Sequence, residues 1–200
     1  MQNFKKVIFV AITLLVIGVN SASAQVVWGG RVGFSYYTET VKTYGLSISG
    51  NAMGVELGPV IFYSLNDNLY INSGAMLGVM MSLEDEIRSE YQNYYVDIPL
   101  YLGLKVPLSN SNISPYVQAG PYVGYWYSTN ADTNEMLNHI QAGLGIMAGV
   151  NIKRFKFDIG YKFGLTNLSS NKEGDTLGDY TLLESTSKLT SIFLGISYVF

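Results

Sequence analysis

Apolar and polar side chains alternate without a break from residue 93 to residue 106. One face of an extended strand would carry Tyr94, Val96, Ile98, Leu100, Leu102, Leu104 and Val106, and the other Asn93, Tyr95, Asp97, Pro99, Tyr101, Gly103 and Lys105. Successive side chains of a strand point to opposite faces, so one face here is apolar and the other polar. The alternation outlasts the roughly five or six residues of a typical sandwich strand. It therefore predicts a strand of a closed barrel, with lipid outside and a polar interior.

Seven further segments alternate in the same way, which predicts eight strands in total. They cover residues 26–37, 55–65, 69–81, 113–127, 139–152, 155–166 and 189–200. Short connections over residues 66–68, 107–112 and 153–154 alternate with longer polar ones over residues 39–54, 82–91, 128–138 and 167–188. We expect an all-β, antiparallel up-and-down transmembrane barrel, with both termini on the periplasmic side of the outer membrane. An even number of strands leaves no unpaired edge in hydrocarbon.

Outward-facing aromatic residues fall at the two ends of these strands. Trp28, Tyr63, Phe155, Tyr198 and Phe200 lie at the periplasmic ends, and Tyr36, Tyr94, Tyr125 and Tyr127 at the opposite ends. Amphipathic rings favour the headgroup level, so this sorting predicts two aromatic girdles. Four prolines, Pro59, Pro99, Pro115 and Pro121, interrupt the strands. Each removes a ladder donor, and β-bulges are the usual accommodation.

The N-terminus predicts secretion. Lys5 and Lys6 precede an apolar run over residues 7–19 that is too short to span a membrane, and Ala22-Ser23-Ala24 forms a small-residue cleavage site. We therefore expect a signal peptide over residues 1–24 and a single barrel domain over residues 25–200. Once the two lysines are removed, 10 basic residues face 15 acidic ones, which argues against nucleic acid as a partner. The sequence has no cysteine, so disulfides and thiolate metal sites are excluded.

The predicted interior combines many glycines with seven charged side chains. The charged residues are Arg31, Glu56, Asp97, Lys105, Lys156, Asp158 and Lys162. An eight-stranded barrel is only wide enough for side chains to fill it. Buried charges persist when they are paired and hydrogen-bonded. We therefore predict a lumen charge network that plugs the barrel. A gated path for ions or small solutes is the alternative.

Three segments resemble the PorT-like outer-membrane β-barrel family of Bacteroidetes, a family of small OmpX-like and OmpA-like barrels. They are residues 94–100 with Leu104-Lys105 after them, residues 115–124 and residues 160–167. The resemblance covers essentially the whole mature chain. The ending with Gly195, Tyr198 and Phe200 resembles the C-terminal insertion signal of outer-membrane proteins, which implies recognition by the barrel-assembly machinery. The founding member is linked to type IX secretion, but the shared motifs are structural, so an accessory role in secretion stays an alternative.

The candidate for an enzymatic role is His139, the single histidine, which is predicted to lie inward at the extracellular end. A barrel resembling the lipid A deacylases would place its catalytic base there, within a His-x-Ser pattern. Here the second position after the histidine is Gln141, and Ser128 or Ser185 would have to replace the missing nucleophile. A base without a positioned nucleophile is not a triad. We expect no catalytic residue, no cofactor and no metal site, with a lipid-modifying enzyme as the alternative.

The predicted extracellular connections are strongly acidic. Their acids are Glu39, Glu84, Asp85, Glu86, Glu90, Asp132, Glu135, Glu173, Asp175, Asp179 and Glu184, against Lys42, Arg88, Lys172 and Lys188. The triplet Glu84-Asp85-Glu86 either holds a calcium or magnesium ion that bridges lipopolysaccharide or forms a solvated loop. Tyr180, Leu182 and Leu183 offer apolar contact area. We expect a monomer in contact with the lipid bilayer and lipopolysaccharide, with a structural role or an unidentified extracellular ligand at its loops. A soluble lipocalin-like barrel, with the two faces inverted, is the rival fold.

Overall fold

The computed structural model describes residues 26–43, 46–83, 92–106, 108, 112–129, 134, 137–168, 176–177, 180–181 and 186–200. The predicted signal peptide, the acidic triplet Glu84-Asp85-Glu86, Leu182, Leu183 and Ser185 lie outside these residues. Within the described part of the chain, no helix is long and apolar enough to cross a membrane.

Nine strands form the wall of one closed sheet. They are β1 (Val26–Thr43), β2 (Leu46–Ser64), β3 (Leu69–Gly74), β4 (Met76–Ser82), β5 (Gln92–Lys105), β6 (Ile113–Ser128), β7 (Ile140–Ile152), β8 (Phe155–Gly164) and β11 (Thr186–Val199). Two short strands, β9 (Thr176–Leu177) and β10 (Tyr180–Thr181), form a separate ladder. Strands β3 and β4 lie end to end between β2 and β5 and together take the place of one strand. The ring is therefore eight strands wide. It closes where β1 pairs antiparallel with β11, and the predicted fold class is confirmed.

Solvent exposure alternates along the strands in the predicted phase. On β5, for example, Tyr94 and Ile98 are exposed, whereas Tyr95, Asp97 and Tyr101 are buried. A soluble barrel would bury its apolar face and expose its polar one. Here the exposed face is apolar and the charged residues are inside, which excludes the inverted, lipocalin-like arrangement.

The two ends of the barrel differ in their connections. The end that holds Val26, Phe200 and the turns at residues 65–68 and 153–154 is called the terminal end below. In the first turn, Asn66 Oδ1 accepts hydrogen bonds from the backbone N–H groups of Asn68 (2.9 Å) and Leu69 (2.8 Å). The opposite end, called the loop end, holds the connections from β1 to β2, β4 to β5, β6 to β7 and β8 to β11.

The prediction of a polar loop over residues 39–54 is wrong. Strand β1 continues to Thr43 and β2 begins at Leu46, and the two stay paired throughout this stretch. On its other side β1 pairs with β11 as far as Lys42, which lies opposite Thr186. Thr38, Thr40 and other β-branched residues favour extended structure even where the outward face is polar.

The four prolines lie within strands, but the expected bulges do not accompany them. On both sides of Pro59 the register is the same, with Leu57 opposite Leu77 and Val60 opposite Gly74. The ladder is interrupted instead, because proline has no N–H to donate. The interruption divides β3 from β4 at Ala75, whose N–H still donates to the carbonyl of Pro59 (3.2 Å). The register likewise stays constant across Pro99, Pro115 and Pro121.

Candidate functional site

The outward face of β1, β2 and β11 changes from apolar to polar between two successive rows of cross-strand partners. The lower row is apolar and consists of Tyr36, Met53 and Ile192. The upper row is polar and consists of Thr38, Asn51 and Thr190. Every outward residue described above it on these strands is also polar: Thr40, Lys42, Ser47, Ser49, Thr186 and Lys188. The three strands therefore continue beyond the apolar band as a sheet whose outward face is polar, called the extension below (residues 38–43, 46–51 and 186–190).

The apolar band below the extension has the height of a membrane strand. On β1 it runs from Trp28 to Tyr36, about the nine residues that a tilted strand needs to cross hydrocarbon. Rings mark its lower edge, where the centroid of Tyr198 lies 5.1 Å from that of Phe155 and 5.7 Å from that of Phe200. At the loop end, Tyr94 lies opposite Tyr127 on the neighbouring strand. The structure thus places aromatic residues at both predicted girdle levels.

An ion-pair network occupies the middle of the lumen. Lys162 Nζ lies 3.2 Å from Glu56 Oε2 and 3.1 Å from Asp97 Oδ2. Arg31 donates two parallel hydrogen bonds to Asp158, of 2.7 Å and 2.6 Å. Its Nε lies 3.7 Å from Glu56 Oε1, so Glu56 joins the two halves. Four strands, β1, β2, β5 and β8, thus contribute one connected group of five predicted residues, all of them buried.

Phenol groups add hydrogen bonds to the carboxylates of this network. Tyr116 donates to Asp158 (2.9 Å), and Tyr95 donates to Glu56 (3.4 Å). The hydroxyl of Tyr95 in turn accepts from Tyr37 (2.7 Å). Buried charges are tolerated when they are paired and also hydrogen-bonded, so these contacts account for carboxylates in the interior of the barrel.

The remaining two predicted charges lie apart from the network. The ammonium of Lys156 lies 4.6 Å, 4.8 Å and 4.2 Å from the ring centroids of Phe62, Tyr70 and Tyr116, which is cation–π geometry. Lys105 lies half-buried at the mouth of the terminal end. Among the described residues, no ion pair includes either lysine.

Inward glycines lie opposite inward aromatic rings on neighbouring strands. The cross-strand pairs are Gly78 with Tyr95, Gly103 with Tyr70, Gly143 with Tyr122, Gly149 with Tyr116 and Gly160 with Phe193. A methyl group added to any of these glycines would come too close to its partner's ring. The inward glycines therefore make room for these rings. The sequence predicts that the glycines face inward but not which ring each one faces, because the pairing register is not a local pattern.

The lumen is closed above the network by an apolar cluster at the loop end. Tyr95 and Trp126 stack with centroids 4.6 Å apart, and Tyr37 meets Trp126 edge-on. Leu137 and Leu168, from the connections at the loop end, are buried in the same cluster. Between the charged residues remains a cavity of about 20 Å³, which is room for about one water molecule. The arrangement favours a plug over a pore.

Among the described residues, His139 contacts a backbone carbonyl and an aromatic ring. Its Nδ1 lies 2.9 Å from the carbonyl oxygen of Trp126, and its ring stacks on Tyr125 with centroids 5.4 Å apart. Gln141 accepts a hydrogen bond from Thr166 (2.9 Å), and Ser128 is buried. Within the described ranges, no hydrogen bond joins the histidine to a serine or an acid.

The residues of the predicted insertion signal lie in β11 and directly after it. Gly195 faces inward, and a methyl group there would overlap the guanidinium of Arg31. Tyr198 and Phe200 face outward within the lower aromatic girdle. In the folded barrel, Gly195 therefore makes room for the ion-pair network, whereas the two rings lie at the predicted headgroup level.

Comparison with solved structures found several similar chains. OprG of Pseudomonas aeruginosa has a TM-score of 0.53 at 14% identity, over 87% of this chain and 95% of OprG. Neisserial surface protein A has a TM-score of 0.49 at 13% identity, over 89% of this chain and 99% of that protein. Ail, the attachment invasion locus protein of Yersinia pestis, has a TM-score of 0.37 at 14% identity, over 86% of this chain and 98% of Ail.

At these identities the likeness to OprG shows the fold alone. Comparison with curated protein sequences found no match. A family model described as the outer membrane protein beta-barrel domain matches residues 20–170. This match covers most of the chain and all of the barrel strands from β1 to β8. The chain therefore belongs to the outer membrane protein beta-barrel domain family.

Proposed function

We propose that this outer-membrane protein is a monomeric, plugged scaffold that presents a binding surface to the cell exterior. In this proposal the loop end is extracellular and the terminal end is periplasmic. The observation that carries the proposal is the extension, a paired sheet with a polar outward face that continues three strands past the apolar band. Lipid contact does not require such a sheet, and its ordered polar face is available to an external ligand.

Contacts within the extension support a preformed surface. Thr38 and Asn51 are joined across β1 and β2 (3.4 Å), and so are Thr40 and Ser49 (3.4 Å). On the inward face, Ser187 donates to Glu39 (2.5 Å). Groups held on paired strands are positioned more precisely than groups on loops. The exposed hydroxyls and Lys42 would suit a polar ligand, such as a polysaccharide or a hydrophilic protein surface.

Cysteine labelling tests the orientation, because the chain has no cysteine of its own. We expect Ser49→Cys, in the extension, to react in intact cells with a maleimide carried on a polymer too large for outer-membrane pores. Asn68→Cys, in the exposed turn at the terminal end, is the matched control and should react only after the outer membrane is permeabilised. The reverse labelling pattern would contradict the proposed orientation.

Binding at the extension is tested with an array of extracellular-matrix proteins and polysaccharides. We expect the purified barrel to retain at least one array component. The variant Thr40→Ala/Lys42→Ala/Ser49→Ala should lose that component while keeping the faster gel mobility of a folded, unboiled barrel. Retention by the variant, or binding of no component by the native protein, would contradict a binding role for the extension.

A further inference from the structure

The barrel opens at the terminal end into a pocket that carries an excess of positive charge. The pocket has a volume of about 230 Å³ and is lined by Lys105, Lys153 and Lys156 together with Tyr70 and Ser114. Lys105 comes from the end of β5, Lys153 from the turn between β7 and β8, and Lys156 from the start of β8. No Asp or Glu is among the described residues that line it.

The deepest cation of the pocket has no anionic partner in the described part of the chain. Lys156 is only 9% exposed, and its ammonium contacts the rings of Phe62, Tyr70 and Tyr116. The nearest carboxylate on its own strand, Asp158, already accepts two hydrogen bonds from Arg31 and one from Tyr116. Aromatic faces attract a cation but do not neutralise its charge.

A hydrogen-bond donor beside the ammonium is also unused. The hydroxyl of Tyr70 is buried in a side chain that is 3% exposed, and it has no hydrogen-bond partner among the described residues. Buried polar groups are nearly always satisfied by protein or by a bound species. Tyr70 and Lys156 both line the pocket. An acceptor-rich anion seated against the ammonium would therefore come close to the Tyr70 side chain, whose hydroxyl would turn toward the anion to donate to it.

We propose that this pocket binds a phosphate-class oxyanion, either inorganic phosphate or a small phosphate monoester. Three lysines on different elements, a tyrosine and a serine line one space. That arrangement matches an anion with several strong acceptor oxygens and nearly two negative charges, better than a planar carboxylate with one charge. The volume leaves room for an organic substituent on the phosphate. Binding itself does not depend on the proposed function. Only the conclusion that the anion comes from the periplasm rests on it, because there the terminal end is proposed to be periplasmic.

The test is calorimetric titration of the full chain, folded in an uncharged detergent. Inorganic phosphate, glycerol 1-phosphate and acetate are the three probes. We expect saturable binding of one phosphate per barrel, at least equal binding of the monoester, and acetate weaker by about tenfold, since one charge-assisted hydrogen bond contributes about that factor. A preference for glycerol 1-phosphate over phosphate would identify a monoester as the ligand, and the reverse would identify free phosphate.

Variants separate a built site from general charge attraction. Lys105→Gln/Lys153→Gln should weaken phosphate binding by about tenfold or more, and Tyr70→Phe should weaken it by about threefold without changing the charge. Lys172→Gln removes a lysine from the segment between β8 and β11, which are connected at the loop end, and should leave binding unchanged. Unsaturable binding, or equal losses in the pocket variants and in Lys172→Gln, would overturn the proposal. A gel-mobility check of each variant shows that the barrel is folded, so a failure of the site is distinct from a failure of the scaffold.

Discussion

Lys162 and Lys156 lie on the same strand and point into the same lumen, but the barrel surrounds them differently. Lys162 contacts two carboxylates, at 3.2 Å and 3.1 Å. Lys156 contacts three aromatic rings and no carboxylate within the described residues. Lys162 lies in the middle of the lumen, below the apolar cluster, whereas Lys156 lies next to the open mouth of the terminal end.

The difference shows how depth determines the partner that a buried cation needs. In the middle of the lumen there is room for only about one water molecule, so a charge there needs a full counter-charge. Near the mouth, solvent or a soluble anion can reach the ammonium. Aromatic rings are then sufficient to stabilise the side of the ammonium that faces the protein. Substitutions in the two regions should therefore have different costs.

The largest effect is expected from Lys162→Met, which leaves buried Asp97 without a cation and leaves Glu56 only its 3.7 Å contact with Arg31. The free energy of unfolding should fall by about 3–5 kcal/mol, the usual cost of removing one partner of a buried pair. Urea unfolding of the barrel in lipid vesicles measures it, with exposed Lys42→Met as the control. The triple variant Lys162→Met/Glu56→Gln/Asp97→Asn should recover most of the loss, and a failure to recover would mean that packing rather than charge is responsible.

A smaller effect is expected from Gly195→Ala, which pushes a methyl group into the guanidinium of Arg31. Displacement of Arg31 from Asp158 should cost about 1–3 kcal/mol, as overpacking usually does. Gly30→Ala is the matched control, because a methyl group there has open space around it, and it should change stability by no more than about 0.5 kcal/mol.

The two glycine variants should be refolded without any assembly factor. Gly195 also belongs to the predicted insertion signal, so recognition by an assembly factor would otherwise add to the effect on stability. Equal stability of the two alanine variants would show that the central network tolerates displacement. The contrast between the two lumen regions would then be weaker than the distances indicate.

The smallest effect is expected from Lys156→Met. The substitution removes the cation–π contacts, but it also removes the cost of burying a charge, so the net loss should be about 1 kcal/mol or less. The same urea titration measures it. A loss as large as that of Lys162→Met would contradict the difference between the two lysines. It would mean that the charge held by the rings is as important for stability as the charge in the ion-pair network.

The wall of the barrel was predictable from the sequence because the information is local. Tyr94 and Tyr95 are adjacent and of the same residue type. Only the alternation of side chains along a strand predicts that Tyr94 faces lipid and Tyr95 faces the lumen. The structure confirms that assignment. The extension was missed because strands were identified by an apolar outward face. Thr38, Thr40 and Asn51 continue the strands where that face no longer contacts hydrocarbon.

The interior was predictable only in its composition. The sequence predicts that Lys156 is inward, but its contacts come from Phe62, Tyr70 and Tyr116 on three other strands. Those contacts depend on the register of every strand pair between them, and no local pattern encodes it. The interruption at Ala75 depends on register in the same way, because it requires the positions of Pro59 and Pro99 on the two neighbouring strands.

Closure of the ring through β1 and β11 determines when the barrel can become complete. Gly29 pairs with Val199 and Lys42 with Thr186, so the closing contacts join segments that are synthesised at very different times. Joining such distant segments has a high loop-closure entropy, which gives the topology a high contact order and slow folding. Before β11 arrives, the sheet has two open edges that can pair with other chains. Closure of the ring must therefore follow synthesis of β11, and until then the two open edges need protection from pairing with other chains.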